Sequence, residues 1–462
     1  MTRVAIIGGG VTGLTAAFRL HALRSDIEIS VIERDGRTGG KIRSSEFAGV
    51  PGVDEGADAF LTRVPFATQL AGDLGLGDAM TSPAVGAASV WWNGLHPIPE
   101  GLLLGVPTGI LSLARSKLLT WPGKARAALE PLLPATGVGA DSVGSLIRHR
   151  FGKQVHERLV DPLVGSIYAA DTDHFSLAGV PQISDLASNN RSLLLGARKA
   201  QATVPPSTGP IFAAPTAGMA TLTDALVREL TSSGVTIRTG AAAHTVERAT
   251  HGWRVDGDVF DGVILASPAA ATAPIVRSVC REASEALATF DHAGVVMITL
   301  DIAGAAWPGA LRQFSGYLVP KPMQQWVTAA SFATTKWPHW RPVRPDGTPG
   351  MVLRISLGRD GNDLTDHDDD DLLGAAVNEV GRHLGVDLQP DVYRITRWPK
   401  AFPQYRPGHA ARVLAIESAL ARDAPGVIVC GASYRGIGIP ACIQQANAAA
   451  TSMAGLLQPV RD

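Results

Sequence analysis

Three glycines near the start of the chain, Gly8, Gly10 and Gly13, have the spacing of a phosphate-binding turn. In such a turn the first glycine makes the tight bend, the second leaves room for a pyrophosphate, and the third lets a helix pack on a strand. The apolar run before Gly8 suits a buried parallel strand, and the residues after Gly13 have helical periodicity. Glu33 follows at the distance of about 20 residues at which an acid binds a ribose. The pattern predicts an adenine-dinucleotide site.

A second group of glycines and cations follows this acid directly, in residues 34–44 (RDGRTGGKIRS). Gly39 and Gly40 permit a close approach of backbone to ligand, and Lys41 or Arg43 could neutralise a phosphate or reach the ring. The segment resembles the second signature of the flavin amine oxidase superfamily, which runs along the pyrophosphate and ribityl chain of FAD. The resemblance implies that the dinucleotide is FAD and not a nicotinamide cofactor.

A third glycine-rich segment, residues 430–440 (CGASYRGIGIP), lies between a predicted strand and a predicted final helix near the C-terminus. Gly436 and Gly438 suit a backbone that lies against a planar ring. The N-terminus of the helix behind them would stabilise a reduced, anionic flavin through its dipole. The superfamily closes its flavin site at this place, so we expect the two ends of the chain to build one FAD domain.

The glycine turns, the acid and the neighbouring segments together form the candidate cofactor site. The residues expected to bind FAD are Gly8, Gly10, Val11, Thr12, Gly13, Glu33, Arg34, Gly39, Gly40, Lys41, Arg43, Gly56, Ala57, Asp58, Val246, Gly431, Ala432, Gly438 and Ile439.

Four further segments carry a closer resemblance: residues 161–171 (DPLVGSIYAAD), 316–320 (GYLVP), 331–338 (SFATTKWP) and 433–440 (SYRGIGIP). They look like protoporphyrinogen and coproporphyrinogen oxidases, and the similarity covers essentially the whole chain. The resemblance implies a six-electron oxidation of coproporphyrinogen III in three flavin cycles, with O2 as oxidant and peroxide released. Protoporphyrinogen IX is the alternative substrate. The flavin does the chemistry, so we expect no dedicated catalytic side chain.

The same resemblance implies a flat, apolar slot ringed by cations that bind propionates. The candidate cations are Arg63, Lys336 and Arg435, and Ile167 and Tyr168 are expected to contact the macrocycle. For Arg63 and Lys336 an ordinary ion pair is an equal alternative, and Arg435 could serve the flavin instead.

Other classes on the same fold are less favoured. Amine oxidases carry a lysine near the flavin on a substrate-domain strand, but the corresponding segment, residues 294–300 (GVVMITL), has none. Carotenoid desaturases lack the run at residues 433–440. An escort protein that binds apolar groups without redox chemistry has no reason to retain the glycine pair of the second segment.

Composition restricts the function further. The chain has 462 residues, 45% of them hydrophobic, and a formal net charge of −1, which gives no electrostatic case for nucleic acid or for an anionic membrane surface. Three cysteines without zinc-ligand spacing favour a reduced, cytoplasmic environment and no metal site.

The most apolar segment, Gly101–Ala114, is too short to span a bilayer. We expect it to be helical and to line a pocket, touch a membrane surface or lie buried. From the pathway that the resemblance implies, we expect ferrochelatase or another haem-pathway enzyme as a partner.

The predicted fold class is α/β (α+β): a Rossmann-like FAD-binding fold with two dinucleotide-binding motifs, a mixed-sheet substrate domain and a helical subdomain. We assign residues 1–60, 210–270 and 405–462 to the FAD domain. Residues 61–90, 171–209 and 271–404 are assigned to the substrate domain, and residues 91–170 to a helical subdomain that faces a membrane or partner. The acidic run at residues 366–371 is predicted to begin a helix, since carboxylates favour a helix N-terminus.

Overall fold

The computed structural model describes residues 2–134, 141–203, 209–344 and 346–457. Its strands are β1 (Arg3–Ile7), β2 (Glu28–Ile32), β3 (Ser44–Phe47), β4 (Val50–Asp54), β5 (Phe60–Leu61), β6 (Met80–Thr81), β7 (Ala88–Trp91), β8 (Leu95–Pro97), β9 (Leu102–Leu103), β10 (Val106–Pro107), β11 (Phe212–Pro215), β12 (Thr236–Arg238), β13 (Val246–Arg248), β14 (Trp253–Val255), β15 (Asp258–Phe260), β16 (Gly262–Leu265), β17 (His292–Ala303), β18 (Gly316–Leu318), β19 (Val327–Phe332), β20 (Gly350–Leu357), β21 (Pro390–Pro403) and β22 (Val427–Val429).

Helices connect and cover these strands. They are α1 (Val11–Leu23), α2 (Phe66–Asp73), α3 (Ile110–Arg115), α4 (Trp121–Ala128), α5 (Val143–Phe151), α6 (Lys153–Val155), α7 (Asp161–Tyr168), α8 (Pro181–Asn189), α9 (Leu193–Thr203), α10 (Ala220–Ser232), α11 (Ala269–Ile275), α12 (Arg281–Ala288), α13 (Ala333–Lys336), α14 (Asp369–Leu384), α15 (His409–Asp423) and α16 (Ile439–Leu456).

The first and last segments of the chain meet in one parallel sheet with the order β12-β2-β1-β16-β22. Helices α1, α10 and α16 pack on one face, and α11, α12 and α15 pack on the other. With both faces covered, the strands are continuously apolar, as residues 4–7 are. The chain adds β2 on one side of β1 and later adds β16 on the other side, so the strand order changes direction at β1. Ligands bind at such a switch point, beyond the carboxyl ends of the strands.

A second, mostly antiparallel sheet has the order β21-β17-β20-β19-β18-β7-β8. Only β7 and β18 run parallel within it. One face packs against α14, which begins at Asp369 with three acids in its first turn, as the acidic run predicts. The long strand β17 begins at His292 and pairs with the edge strand β21, which contains Ala401.

The helical region has its own core, which includes apolar residues of α5, α7, α8 and α9. Helices α8 and α9, which we assigned to the substrate domain, pack into this core, so the helical region reaches Thr203. None of the helices in the described part of the chain is long and apolar enough to cross a membrane.

The helical prediction for Gly101–Ala114 is wrong over most of its length. Strands β9 and β10 form a hairpin there, and helix begins only at Ile110. Leu104 and Gly105 have φ values of 50° and 86°, which turn the chain. A Cβ at Gly105 would lie 2.5 Å from the carbonyl oxygen of Leu159, so close packing also requires glycine there.

Candidate active site

The first glycine turn connects β1 to α1 at the carboxyl edge of the parallel sheet. Gly8 has a φ of 109°, and its N–H donates to the carbonyl oxygen of Ile32 at 2.8 Å. A Cβ at Gly13 would lie 1.9 Å from the carbonyl oxygen of Gly8, so the helix can approach the strand only through glycine. A Cβ at Gly10 would meet nothing within 4 Å. The second glycine therefore faces open space, as a pyrophosphate site requires. Val11 and Thr12 follow as the first residues of α1.

Glu33 lies at the end of β2 and is buried. One of its carboxylate oxygens accepts the N–H of Gly9 at 2.6 Å, and the other accepts the N–H of Asp35 at 2.8 Å. The acid thus braces the glycine turn, and each oxygen keeps a lone pair for a ribose hydroxyl. Arg34 has a different position: its exposed side chain pairs with Asp35.

The second glycine pair lies directly against the first turn. The N–H of Gly39 donates to the carbonyl oxygen of Gly9 at 2.8 Å, and Gly39 and Gly10 form a parallel bridge. Gly39 and Gly40 have φ values of 94° and 57°, a region that favours glycine. The open space beside Gly10, Gly40 and Lys41 is called the cofactor crevice below.

Two cations of this segment have different surroundings. The Lys41 ammonium donates to the carbonyl oxygen of Ala401. Burial lowers the pKa of Lys41, and no carboxylate among the described residues pairs with it. Arg43 instead forms an ion pair of 3.0 Å with the buried Glu55. Lys41 is therefore the cation that remains available at the crevice.

Residues 56–58 border the crevice beside Lys41. A Cβ at Gly56 would lie 2.7 Å from the Lys41 carbonyl oxygen, and Ala57 is exposed. Asp58 is bound by Lys336 at 2.8 Å and by Arg354 at 3.2 Å. Burial would raise the pKa of Asp58, but these two charges outweigh burial and hold its pKa well below the usual range.

Lys336 forms the ion pair that the sequence analysis gave as one of its two alternatives. Its ammonium is bound to Asp58, and the indole of Trp337 donates to the same carboxylate oxygen at 3.2 Å. Lys336 thereby anchors the cofactor-side segment through Asp58, and a contact of Lys336 with a propionate stays a prediction. Sequence spacing gives no signal for the ion pair, because Asp58 and Lys336 are 278 residues apart.

The third glycine segment closes the crevice from the C-terminal side. A Cβ at Gly431 would lie 3.5 Å from the Thr12 hydroxyl, so this turn contacts the first one. Gly438 is the N-cap of α16 and Ile439 is its first residue. Helix α16 packs along α1, which brings the two ends of the chain together.

Tyr405 forms hydrogen bonds to this third segment. This residue was not identified from the sequence. Its hydroxyl donates to the carbonyl oxygen of Ala432 at 2.5 Å and accepts the N–H of Gly436 at 2.8 Å. Its ring lies 5.7 Å from that of Phe175, which in turn contacts Tyr168 at 4.6 Å. The position lies between a long strand and a helix, outside every glycine motif, so no local pattern identifies it.

Val246 begins β13 and is buried, and its carbonyl oxygen accepts the hydroxyl of Ser278 at 2.6 Å. The chain just before it binds the end of β2, since the N–H of Ala241 donates to the Glu33 carbonyl oxygen at 2.9 Å. Val246 therefore follows a segment that lies beside the predicted ribose acid.

The end of α7 forms an apolar wall next to the crevice. Ile167 is 47% exposed although it is large and apolar. Burial raises the pKa of Tyr168. Ala169, the next residue, packs in a small cluster with Ala401, whose carbonyl binds Lys41. Ile167 and Tyr168 directly precede Ala169, and their contact with the macrocycle stays a prediction.

The two remaining arginine candidates differ. Arg63 is exposed, and no hydrogen bond or ion pair joins its guanidinium to another part of the described chain. Arg435 pairs with Glu417 of α15, and this pair directs its side chain toward that helix. A substrate or flavin contact of Arg435 stays a prediction.

The residues present fit FAD. Three glycine segments from both ends of the chain converge on one crevice, and the Gly10 position opens into it. A buried acid stands at the ribose position, and Lys41 supplies a positive charge that no described carboxylate neutralises.

Comparisons with known proteins agree with this arrangement. The sequence family described as flavin containing amine oxidoreductase matches residues 11–454. A coproporphyrinogen III oxidase from Bacillus subtilis is 32% identical over 469 residues, which cover 96% of both chains. Another from Mycobacterium tuberculosis is 33% identical and aligns with 97% of this chain and 96% of its own.

A solved structure supports the same assignment. The crystal structure of a candidate protoporphyrinogen oxidase from Exiguobacterium sp. 255-15 superposes with a TM-score of 0.84 at 26% identity, and the superposition covers 98% of each chain. The predicted fold class and cofactor are thereby confirmed. The chain is an FAD-binding member of the flavin-containing amine oxidoreductase family and belongs to its coproporphyrinogen III oxidases.

Proposed function

We propose that this chain oxidises coproporphyrinogen III to coproporphyrin III with O2 as the oxidant. One observation carries the proposal: the exposed Ile167 and the half-buried Tyr168 directly precede Ala169, which packs in a cluster with Ala401, whose carbonyl binds Lys41 of the cofactor segment. A large apolar substrate can therefore rest beside the cofactor crevice. The relatives named above as coproporphyrinogen III oxidases support the substrate.

The residues have binding and orienting roles in this proposal. Bound FAD supplies the hydride acceptor. The glycine turns accommodate the dinucleotide, and Glu33 fixes the first turn through Gly9. Ile167 and Tyr168 offer an apolar surface to the macrocycle, and Lys41 places a positive charge beside it. Arg63, whose exposed guanidinium has no hydrogen bond or ion pair in the described chain, is the arginine that we propose for a propionate.

No acid or base of the chain is assigned to the chemistry. Carboxylates near the crevice are already engaged, Glu55 by Arg43, Asp58 by Lys336 and Glu33 by two backbone N–H groups. Conversion of a porphyrinogen to a porphyrin removes six electrons, so three O2 are reduced to three H2O2. The hydrogens can move between meso positions by tautomerisation of the substrate itself, which requires no dedicated side chain.

The proposal is tested with FAD-loaded protein in air. Coproporphyrinogen III and protoporphyrinogen IX are supplied separately, and porphyrin fluorescence and peroxide are measured. We expect faster oxidation of coproporphyrinogen III, with three H2O2 per porphyrin. Faster oxidation of protoporphyrinogen IX would instead assign the alternative substrate. If neither substrate reacts faster than without enzyme, the proposed reaction is wrong.

A matched pair of variants tests the apolar wall. Ile167→Asn places a polar group against the macrocycle, so kcat/KM for coproporphyrinogen III should fall about tenfold, as expected for the loss of an apolar contact. Its FAD content should be unchanged. Leu414→Asn, at an exposed apolar position of another helix, should behave as the wild type. Equal kcat/KM in the two variants would remove Ile167 from the substrate site.

We infer also that the helical region touches a membrane surface. Large exposed apolar side chains cluster on and near α3 and α4: Ile110, Leu111, Trp121, Leu129 and Leu132. The cations of the same segment are Arg115, Lys117, Lys124 and Arg126. Its only acid between residues 101 and 134, Glu130, is buried against Arg150. This face has the charge and apolarity of a surface that binds anionic lipid.

Vesicle flotation tests this contact. The protein should float with vesicles of phosphatidylglycerol and less with vesicles of phosphatidylcholine. The double variant Leu111→Ser/Trp121→Ser should lose the binding, and Leu414→Ser should keep it. Wild-type protein that floats with neither kind of vesicle would contradict the inference. A ferrochelatase partner stays a prediction.

A further inference from the structure

We propose that Tyr405 is a positioning residue that sets the shape of the flavin-side turn and couples this turn to the substrate wall. The inference rests on the proposed function, but the contacts from which it is argued concern only the cofactor site. The hydroxyl of Tyr405 bonds to both Ala432 and Gly436, so one atom spans the loop that precedes α16.

The two bonds fix opposite ends of this loop. Ala432 presents its carbonyl oxygen and Gly436 its N–H, and both groups point at the same hydroxyl. Gly436 has a φ of 114°, a conformation that other residues adopt rarely. Glycine reaches this conformation without strain but also reaches many others, and the buried Tyr405 hydroxyl selects one of them by bonding to the Gly436 N–H. Burial raises the pKa of Tyr405, so the hydroxyl stays protonated and donates.

The ring of Tyr405 is itself held on two sides. It stacks on His409 with centroids 4.0 Å apart and planes 12° apart, and it lies near Phe175. Burial lowers the pKa of His409 to about 4, so its ring is neutral, and Nε2–H donates to the carbonyl oxygen of Tyr434 at 2.9 Å. Tyr405 and His409 together support the turn at two carbonyl groups.

The stack leads from the turn to the substrate wall. Phe175 contacts Tyr168, and Ile437 of the turn packs against the same core of the helical region. Displacement of Tyr405 would therefore change the flavin-side turn and the Tyr168 wall together. Helix α16 begins directly after the turn, so its N-terminal N–H groups would also move relative to the cofactor.

Tyr405→Phe is the direct test, because it retains the ring and removes only the hydroxyl. It leaves two part-buried backbone groups, the Ala432 carbonyl and the Gly436 N–H, without their partner, so the affinity of the apoprotein for FAD should fall about tenfold. The midpoint potential of the bound flavin should also fall, since the helix N-terminus stabilises its reduced, anionic form. An affinity loss that is tenfold greater for reduced than for oxidised flavin corresponds to about 30 mV for a two-electron couple. The visible flavin spectrum should shift with it.

Tyr393→Phe is the matched control. Tyr393 is 48% exposed, and its hydroxyl bonds to no other residue in the described part of the chain. This variant should bind FAD with wild-type affinity, potential and spectrum. If Tyr405→Phe shows the same three values as Tyr393→Phe and loses only thermal stability, the hydroxyl has a merely structural role and the proposal is wrong.

A measurement on the wild type covers the case in which Tyr405→Phe does not fold. Hydrogen exchange of the apoprotein should show a protected Gly436 amide, because that N–H is bonded to a buried hydroxyl. Exchange at the rate of an unstructured loop would overturn the proposal. None of these readouts uses a porphyrinogen, so failure of the proposed reaction would leave them unaffected.

Discussion

Three buried acids near the crevice show how local surroundings set the role of a side chain. Glu33 accepts two backbone N–H groups and braces a turn. Asp58 is held ionised by Lys336 and Arg354. Asp54 is fully buried, and one of its oxygens has no hydrogen-bond partner in the described structure. Burial therefore raises the pKa of Asp54 to about 7.

Glu33→Gln should weaken FAD binding. The amide keeps one acceptor oxygen, so either Gly9 or Asp35 loses its partner and the first turn loosens. An unpaired buried donor costs about 1–3 kcal/mol, which predicts an affinity for FAD about 10- to 100-fold lower, measured by flavin fluorescence. Glu28→Gln on the same strand should bind FAD normally. Normal binding by Glu33→Gln would contradict the role of the acid.

Asp54→Asn should change how stability depends on pH. The folded pKa of about 7 lies above the unfolded value of about 3.9. The charged form therefore destabilises the fold fully above pH 7, and this cost disappears as pH falls below the unfolded pKa. Asn has no such cost and keeps the acceptor for Met219. Relative to wild type, the variant should gain roughly 2 kcal/mol between pH 5 and pH 8.

Urea unfolding of the apoprotein at the two pH values measures this gain. Asp185→Asn, at an exposed carboxylate on α8, is the control and should track the wild type. An equal difference between Asp54→Asn and wild type at pH 5 and pH 8 would show that Asp54 does not titrate in this range.

At the scale of elements, the turn between β1 and α1 contains one glycine that folding requires and another that cofactor binding requires. Gly13 allows the helix to contact the strand, whereas Gly10 faces the open crevice. The two glycines belong to one motif, but only one of them has a neighbour that a methyl group would strike.

Gly10→Ala and Gly13→Ala should therefore differ. Gly10 has a φ of −76°, which alanine accepts, so Gly10→Ala apoprotein should unfold at the wild-type urea concentration yet bind FAD weakly. Gly13→Ala places a methyl group 1.9 Å from the Gly8 carbonyl oxygen and should destabilise the apoprotein by about 1–3 kcal/mol, as overpacking does. Tight FAD binding by Gly10→Ala would exclude the crevice as the pyrophosphate site.

The elements that sequence predicts well are those with local signals. The first strand, turn and helix, the acid of β2 and the start of α14 each follow from spacing, periodicity or capping within a few residues. The hairpin at residues 102–107 was missed because its leucines have no helical or alternating pattern that separates the two states. Asp58–Lys336 and Tyr405–Ala432 were missed because such pairs depend on tertiary contacts between distant segments.

At the scale of the whole molecule, the cofactor crevice lies where separate parts of the chain meet. The first and third glycine segments are contributed by residues near opposite ends of the sequence, and the substrate wall comes from the helical region. FAD binding should therefore stabilise distant segments at once, by about 2.7 kcal/mol at a ligand concentration of 100 times Kd.

Hydrogen exchange with and without FAD tests this whole-molecule claim. Peptides that cover residues 8–43 and 431–445 should both exchange more slowly with FAD. Peptides of α14, which packs in the core of the second sheet, should be unaffected. Protection of the N-terminal peptides alone would contradict a site built from both ends of the chain.

The most direct test of the central claim is anaerobic mixing of FAD-loaded protein with coproporphyrinogen III while flavin absorbance is followed. The account predicts that the oxidised flavin spectrum bleaches, and that it returns when air is admitted, with porphyrin fluorescence rising over repeated cycles. A flavin that remains oxidised in the presence of excess coproporphyrinogen III would contradict the account.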